Sequence, residues 1–209
     1  LELKLKVDHP EDHALLIDWQ AKIKTLVGAH IVTDDSRSIA KVVVDILAQQ
    51  NKTITFAESC TGGKIASLLT EVSGASNVFE AGFVSYSNSI KTSLLDVSEK
   101  DLTEQGAVSE TIVRQMLSGA LKASGAEVGV SVSGIAGPNG GTDDKPVGTV
   151  YLAWGSQTSM QARAFYFPGN RIFFQEIVSA LALDLIRRDL LGLEEAPIYF
   201  KERKSPQIK

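Results

Sequence analysis

The alternation of apolar and polar positions divides most of the chain into short strands and amphipathic helices. Runs rich in β-branched, small and aromatic residues predict strands over 53–57, 79–86, 127–133, 147–154 and 162–167. Helical periodicity, mostly with a capping side chain or glycine at its start, predicts helices over 36–50, 63–72, 87–95, 109–125 and 170–191. Strands that alternate with helices in this way indicate a layered α/β domain around a mostly buried sheet.

The first 34 residues have a different pattern. Residues 1–7 alternate apolar and charged side chains, which predicts a half-buried strand. A helix that opens at Pro10 and stops at Gly28 follows, and residues 30–33 predict a second short strand. Because a strand–helix–strand is too small to bury a core alone, we expect the remnant of a small α+β domain.

The predicted boundaries follow from these patterns. We expect the remnant over 1–34, one α/β domain over 35–193, and a charged, proline-bearing tail over 194–209 that we expect to be mobile. Since residue 1 is Leu rather than Met, we expect a piece of a longer protein or a processed form.

Composition narrows the function classes. The 209 residues are 44% hydrophobic and 22% charged, and the formal net charge of -4 argues against a nucleic-acid-binding surface. No apolar run approaches the length of a membrane span, and residues 1–7 lack the apolar core of a signal peptide. The single cysteine excludes an internal disulfide and a cysteine-built zinc site. We therefore expect a cytoplasmic protein without nucleic-acid or membrane partners.

The positions of the histidines restrict the chemistry further. His9, His13 and His30 all lie in the N-terminal remnant, and the α/β domain has none. A Ser-His-Asp triad, a Cys-His dyad and a histidine-rich metal site are therefore excluded within that domain. Nucleophilic catalysis there requires a carboxylate, a tyrosine or a lysine as its base.

The segment Ala-Glu-Ser-Cys-Thr-Gly-Gly at 57–63 joins a predicted strand to a predicted helix. Ser59 and Cys60 therefore lie at the carboxyl edge of the sheet, where α/β folds bind their ligands. The free amides of the helix start, around residues 61–63, can hold an oxyanion or a phosphate. An ordinary capped turn explains the segment equally well, and the segment matches neither a P-loop nor Gly-x-Ser-x-Gly.

Three further segments carry candidate chemistry. A desolvated Lys91, five residues beyond Tyr86 at a strand end, can act as a base toward a serine, although a solvated lysine fits the pattern better. Small residues over 130–141 suit a pocket wall or a plain turn. Arg171, near the start of the last helix, suits a phosphate clamp or a surface position.

Taken together, these segments resemble the C-terminal domain of the CinA family, the nicotinamide-mononucleotide (NMN) amidohydrolases. Six matching strings stand in family order, at 57–63, 83–88, 106–110, 133–138, 145–150 and 169–171. The first 34 residues resemble the end of the small middle domain of full-length CinA proteins. The family's N-terminal domain, which resembles molybdopterin-binding proteins, lies outside this chain, so we expect no pyrophosphatase-type activity.

The resemblance implies deamidation of NMN to nicotinate mononucleotide and ammonia, without metal or cofactor, by a homodimer. We expect a three-layer α/β/α sandwich around a mixed sheet. Ser59 maps onto the family's serine nucleophile, and Lys91 and Tyr86 map onto its lysine and tyrosine. Asn170 departs from the Asp of many relatives.

The remaining residues expected to bind the substrate or its oxyanion are Glu58, Cys60, Thr61, Gly62, Gly63, Asn88, Ser133, Gly134 and Arg171. Two alternatives stay open: a catalytically inactive nucleotide-binding or regulatory module, and a phosphate-ester hydrolase that uses the same anion-binding turn.

Overall fold

The computed structural model describes residues 3–193 and 196–204, and the chain divides into two compact units, Leu1–Ser36 and Arg37–Lys209. The first unit holds a 3-10 turn at Pro10–Asp12, helix α1 at His13–Val27 and a second 3-10 turn at Gly28–His30. The expected helix is confirmed.

The two strands expected in the first unit are wrong within the described residues. Residues 3–7 and 31–33 pair with no strand there, and residues 1–2 of the first prediction lie outside the description. An alternating pattern becomes a strand only where a neighbouring strand accepts its backbone hydrogen bonds, which the sequence pattern does not reveal.

The second unit alternates strands and helices. Its elements are α2 (Ile39–Gln50), β1 (Ile54–Glu58), α3 (Lys64–Thr70), β2 (Phe79–Val84), α4 (Asn88–Leu95), α5 (Glu99–Gln105), α6 (Glu110–Ser124), β3 (Val128–Gly134), β4 (Thr149–Gly155), β5 (Met160–Tyr166), α7 (Arg171–Leu190) and α8 (Tyr199–Glu202). All five strands predicted for this unit are present. Helix α5, with Ser98 accepting from the Asp101 amide at its start, was not predicted.

The five strands form one mixed sheet in the order β2-β1-β3-β4-β5. Strand β1 runs parallel to both β2 and β3, and β4 runs antiparallel to both of its neighbours. Glu58, the last residue of β1, lies opposite Val84 and Val132. The segments that follow β1 and β2 therefore emerge side by side at one edge of the sheet.

Helices cover both faces of the sheet, which confirms the expected α/β/α architecture. Helix α6 packs on β1, β3 and β4 and carries α4 and α5, whereas α7 packs on β3 and β4 and carries α2 and α3. Gly119 lets α6 approach the end of α4, since a Cβ there would lie 2.1 Å from the carbonyl oxygen of Leu95. This close contact fixes the helix that bears Lys91.

The C-terminal segment over 196–204 packs on the sheet, which contradicts the mobile tail expected there. The Phe200 ring lies 5.8 Å from that of Phe165, with the Arg163 guanidinium 4.0 Å above it. The Tyr199 hydroxyl donates to Asp184 at 2.7 Å. Charge and proline suggested a tail, but two aromatic side chains supply enough apolar area to dock it. Residues 194–195 and 205–209 lie outside the description.

Within the described residues, no helix is long and apolar enough to cross a membrane.

Candidate active site

Ser59 and Lys91, 32 residues apart in sequence, meet at the carboxyl edge of the sheet. The Lys91 ammonium nitrogen Nζ lies 3.1 Å from the Ser59 hydroxyl oxygen Oγ. Ser59 follows β1 directly, and its amide donates to the Val132 carbonyl at 3.1 Å, which fixes it between two strands. Ser59 is 9% exposed and Lys91 is 1% exposed, so the pair is shielded from bulk water.

The burial of Lys91 shifts its protonation equilibrium toward the neutral amine. Burial lowers the pKa of Lys91, because desolvation penalises the charged ammonium. Besides Ser59, Nζ contacts the carbonyl oxygens of Ser85 at 2.7 Å and Tyr86 at 3.3 Å. A neutral amine can donate its two protons to these carbonyls and direct its lone pair at the Ser59 hydroxyl. This is the arrangement of a general base toward a serine.

The neighbouring thiol has the opposite electrostatic setting. Cys60 is 4% exposed, and burial raises the pKa of its thiol to about 12. A thiol with such a pKa stays protonated near neutral pH and is a poor nucleophile. The site therefore favours Ser59 over Cys60 as the attacking group.

The buried carboxylate of Glu58 caps helix α3 from inside the protein. Glu58 is fully buried, and its two oxygens accept from the amides of Gly63 at 3.0 Å, Ile65 at 3.1 Å and Ala66 at 2.9 Å. Anionic groups are stabilised at helix N-termini by such free amides. Glu58 was expected to bind substrate or oxyanion, but it organises the turn instead and leaves the Gly63 amide occupied.

Only some backbone amides of the turn over 60–63 remain free to bind a negatively charged oxygen. The Gly62 amide donates to the Ser59 carbonyl at 3.1 Å, so Gly62 and Gly63, both with positive φ, shape the turn rather than bind a ligand. Within the described residues, the amides of Cys60 and Thr61 donate to no protein acceptor. These two amides follow Ser59 in the turn and are the candidates for binding an oxyanion.

Tyr86 and Arg171 form a second pair at the rim. Arg171 donates from Nη2 to the Tyr86 hydroxyl at 2.6 Å and from Nη1 to the Gly137 carbonyl at 2.9 Å. Tyr86 touches Lys91 through its backbone carbonyl, while its half-exposed ring reaches Arg171 instead of the lysine. Asn170 caps α7 by accepting from the Phe173 amide at 2.9 Å, so the change from Asp keeps this capping bond.

A cavity of about 250 Å³ joins these groups. Its lining includes Ser59, Lys91, Tyr86, Arg171 and the loop that follows β3. Ile135, Ala136, Gly137, Asn139 and Gly140 also line it, within the 130–141 segment that suited a pocket wall, as do Ala107 and Val108 from the string at 106–110. The volume suits a small ligand rather than a polymer.

Two residues expected to bind the ligand have more restricted roles. The Ser133 hydroxyl donates its proton to the Ala107 carbonyl at 2.7 Å, so it has none left for a phosphate. Gly134 lines the cavity, and it packs tightly on β4, since a Cβ there would lie 2.8 Å from the Val150 side chain. Asn88 begins α4 beside the site but does not line the cavity.

One contact of the site was missed from the sequence. Gln175 donates from Nε2 to the Cys60 carbonyl at 2.9 Å. Its position four residues after Arg171 places it on the same face of α7, which is the only sequence signal that points to the site.

No group of three or more His, Cys, Asp or Glu side chains that could hold a metal ion occurs among the described residues.

The fold and the site define a class of protein: an α/β domain with a mixed five-stranded sheet and a buried Ser–Lys pair at its carboxyl edge. Residues 36–190 match the family model described as the CinA C-terminal domain. The chain belongs to the CinA family, which confirms the family expected from the six strings.

Comparisons with individual proteins agree. The chain is 46% identical over 206 residues to a CinA-like protein of Colwellia psychrerythraea, covering 97% of this chain and 48% of that protein. A putative competence-damage inducible protein of Caldicellulosiruptor saccharolyticus is 41% identical over 187 residues, covering 90% of this chain and 46% of the relative. The chain thus spans about half the length of these curated relatives.

Solved structures show the same fold. The competence/damage inducible protein CihA from Agrobacterium tumefaciens is 37% identical with a TM-score of 0.70, over 75% of this chain and 94% of that one. The CinA superfamily protein from Klebsiella pneumoniae 700603 is 30% identical with a TM-score of 0.71, over 74% of this chain and 96% of that one.

Proposed function

We propose that this domain hydrolyses the carboxamide of NMN to nicotinate mononucleotide and ammonia, with Ser59 as nucleophile and Lys91 as base. The observation that carries the proposal is the 3.1 Å contact between Lys91 Nζ and Ser59 Oγ in a buried, histidine-free site. The family resemblance suggests NMN as the substrate, and the contact between Lys91 and Ser59 supports attack by a serine with a lysine base.

The first half of the reaction forms an ester. Neutral Lys91 takes the Ser59 proton, and Oγ attacks the carboxamide carbon. The amides of Cys60 and Thr61 stabilise the negative oxygen that develops. The ammonium of Lys91 then protonates the amide nitrogen, the C–N bond breaks and ammonia leaves.

The second half restores the enzyme. Lys91, neutral again, deprotonates a water molecule that attacks the ester carbon. The same two amides hold the second oxyanion, and Lys91 returns its proton to Ser59 as the ester C–O bond breaks. The product carboxylic acid loses its proton to solvent, and nicotinate mononucleotide leaves as the carboxylate.

The phosphate of NMN is proposed to lie near Arg171 and the loop after β3. Arg171 offers its planar guanidinium. Within the described part of the chain, the amides of Ala136, Gly137, Asn139 and Gly140 donate to no protein acceptor while lining the cavity. Such clustered amides bind anions. They replace Ser133, whose proton is already used.

Tyr86 is proposed to act through its contacts rather than as a proton carrier. Its carbonyl helps to hold the Lys91 amine, and its hydroxyl holds Arg171 in place. The ring then forms an exposed wall of the cavity.

A coupled assay for ammonia with NMN as substrate tests the proposal. Ser59→Ala lowers kcat by at least about a thousandfold, since nucleophile removal abolishes the covalent route. Cys60→Ala retains measurable turnover, because its backbone amide survives the change. Near-normal ammonia release by folded Ser59→Ala overturns the assignment.

The same samples separate the alternatives. Saturable NMN binding by calorimetry without ammonia release indicates a binding module. Release of inorganic phosphate instead of ammonia indicates a phosphate-ester hydrolase.

A further inference from the structure

The peptide unit between Cys60 and Thr61 is held from outside its own turn. Gln175, half-buried on α7, donates from Nε2 to the Cys60 carbonyl at 2.9 Å. Gln175 does not line the cavity, so its side chain contacts the turn and not the ligand space.

The geometry of a peptide bond links this contact to the candidate oxyanion site. In a trans peptide the C=O and the following N–H point in opposite directions within one plane. A hydrogen bond that fixes the Cys60 carbonyl therefore also fixes the direction of the Thr61 N–H. That N–H has no protein acceptor among the described residues.

The rest of the turn is secured by other groups. Glu58 accepts from the amides of Gly63, Ile65 and Ala66, and the Ser59 amide donates to the Val132 carbonyl. Between these two fixed ends, Gln175 makes the one side-chain hydrogen bond to the backbone of residues 60–61 that the described structure contains. Within the turn closed by the bond from the Gly62 amide to the Ser59 carbonyl, Gln175 is therefore the one side chain among the described residues that restrains this peptide by a hydrogen bond.

We propose that Gln175 is a positioning residue, which aims the Thr61 N–H at the oxyanion formed on the carboxamide carbon. The inference rests on the proposed function, because it assigns a role within that reaction. Gln175 acts through the peptide plane and not by touching the substrate. Loss of the Gln175 hydrogen bond raises the energy of the transition state more than that of the bound substrate, because the carboxamide oxygen carries negative charge only in the transition state.

Gln175→Met tests the role, since methionine has a similar length and no donor. We expect kcat to fall about tenfold to a hundredfold, as for a misaimed oxyanion donor, with KM for NMN changed less than about twofold. The pH midpoint of kcat/KM stays that of the native chain, because Lys91 is untouched. Gln175→Lys restores a donor of sufficient reach and recovers most of kcat.

Glu176→Gln is the matched control. Glu176 pairs with Lys64 at 3.4 Å between the same two helices, α7 and α3, and is 59% exposed. Breaking this pair leaves the Cys60 carbonyl bond intact, so kcat stays native. An equal loss of kcat in Glu176→Gln would show that the packing of α7 on α3, and not the orientation of the Cys60–Thr61 peptide, is responsible. That result overturns the inference.

A second measurement does not depend on NMN. A fluorophosphonate probe phosphonylates an activated serine, displacing fluoride, and its P=O oxygen occupies the oxyanion site. Mass spectrometry follows the labelling rate of Ser59, which we expect to fall in Gln175→Met by a factor similar to that for kcat.

The outcomes distinguish the two proposals. Slowed labelling of Gln175→Met, with no ammonia from NMN in the native chain, overturns the substrate assignment and supports the role of Gln175. Native kcat and native labelling in Gln175→Met overturn the inference, as does a native chain that the probe does not label. Failure of both Gln175→Met and Gln175→Lys to fold makes Gln175 a structural residue and also overturns it.

Discussion

Glu58→Gln replaces one carboxylate oxygen of a fully buried side chain beside Ser59 with an amide nitrogen. The native carboxylate is fully buried and accepts three amides, with Oε2 serving Gly63 and Ile65 and Oε1 serving Ala66. A glutamine has the same shape but only one acceptor oxygen. Its amide group would face an N–H donor whichever way it is placed.

The expected cost follows from these contacts. With the glutamine oxygen facing Gly63 and Ile65, the bond to Ala66 is lost, and a hydrogen bond to a charged group contributes about 1.5–3 kcal/mol. Loss of the negative charge at the start of α3 adds about 0.3–1 kcal/mol. We therefore expect Glu58→Gln to lower the free energy of unfolding by about 2–4 kcal/mol.

Urea unfolding followed by circular dichroism measures this loss, and amide hydrogen exchange locates it. Exchange at Ala66 accelerates more than exchange in β3, because the missing bond is local. Ammonia release also falls, since the turn that carries Ser59 loosens. Glu127→Gln is the control: its exposed carboxylate accepts from the Thr53 amide at 2.7 Å, and we expect a change below about 1 kcal/mol.

A Glu58→Gln protein with native stability and native exchange at Ala66 would refute this reasoning. It would mean that the carboxylate does not hold the helix start. A loss as large in Glu127→Gln would show that burial has no part in the effect.

Three further predictions concern the base, the clamp and the C-terminal segment. Burial lowers the pKa of Lys91 below 10.5, so the unfolded chain binds more protons between the two values. The free energy of unfolding therefore rises with pH across that interval, and this gain is lost as pH falls to the folded pKa. Urea unfolding at several pH values measures the rise, which is weaker in Lys91→Met. Arg171→Lys loses the planar fork that reaches Tyr86 and Gly137, and calorimetry in a Ser59→Ala background shows NMN binding weakened about tenfold. Tyr199→Phe removes the bond to Asp184 and lowers the free energy of unfolding by about 1 kcal/mol, whereas an unchanged urea midpoint would mean that the segment contributes nothing.

The local elements of the α/β domain could be predicted from the sequence because their patterns are strong. The run at 53–57 and the glycines after it indicate a strand, a turn and a helix, and β1 and α3 follow. The six family strings then identify the fold. The two false strands of the first unit share the alternating pattern but have no partner strand within the described residues.

The site itself depends on pairing that local patterns do not contain. Lys91 reaches Ser59 because β2 lies parallel to β1 with Val84 opposite Glu58, and the spacing of 32 residues does not reveal this. The sequence likewise does not show that the Glu58 carboxylate turns toward α3 and accepts from the amides there. The resemblance maps Tyr86 onto the family's tyrosine, but a strand-end position does not tell whether its hydroxyl or its carbonyl faces the lysine.

The central claim is that Ser59 carries the acyl group of the amide substrate. Rapid quenching of the native chain during turnover of NMN, followed by proteolysis and fragment mass spectrometry, tests it directly. We predict an acyl ester on Ser59, absent from Ser59→Ala and retained in Cys60→Ala. An adduct on the Cys60 sulfur, or steady ammonia release by Ser59→Ala, would contradict the account.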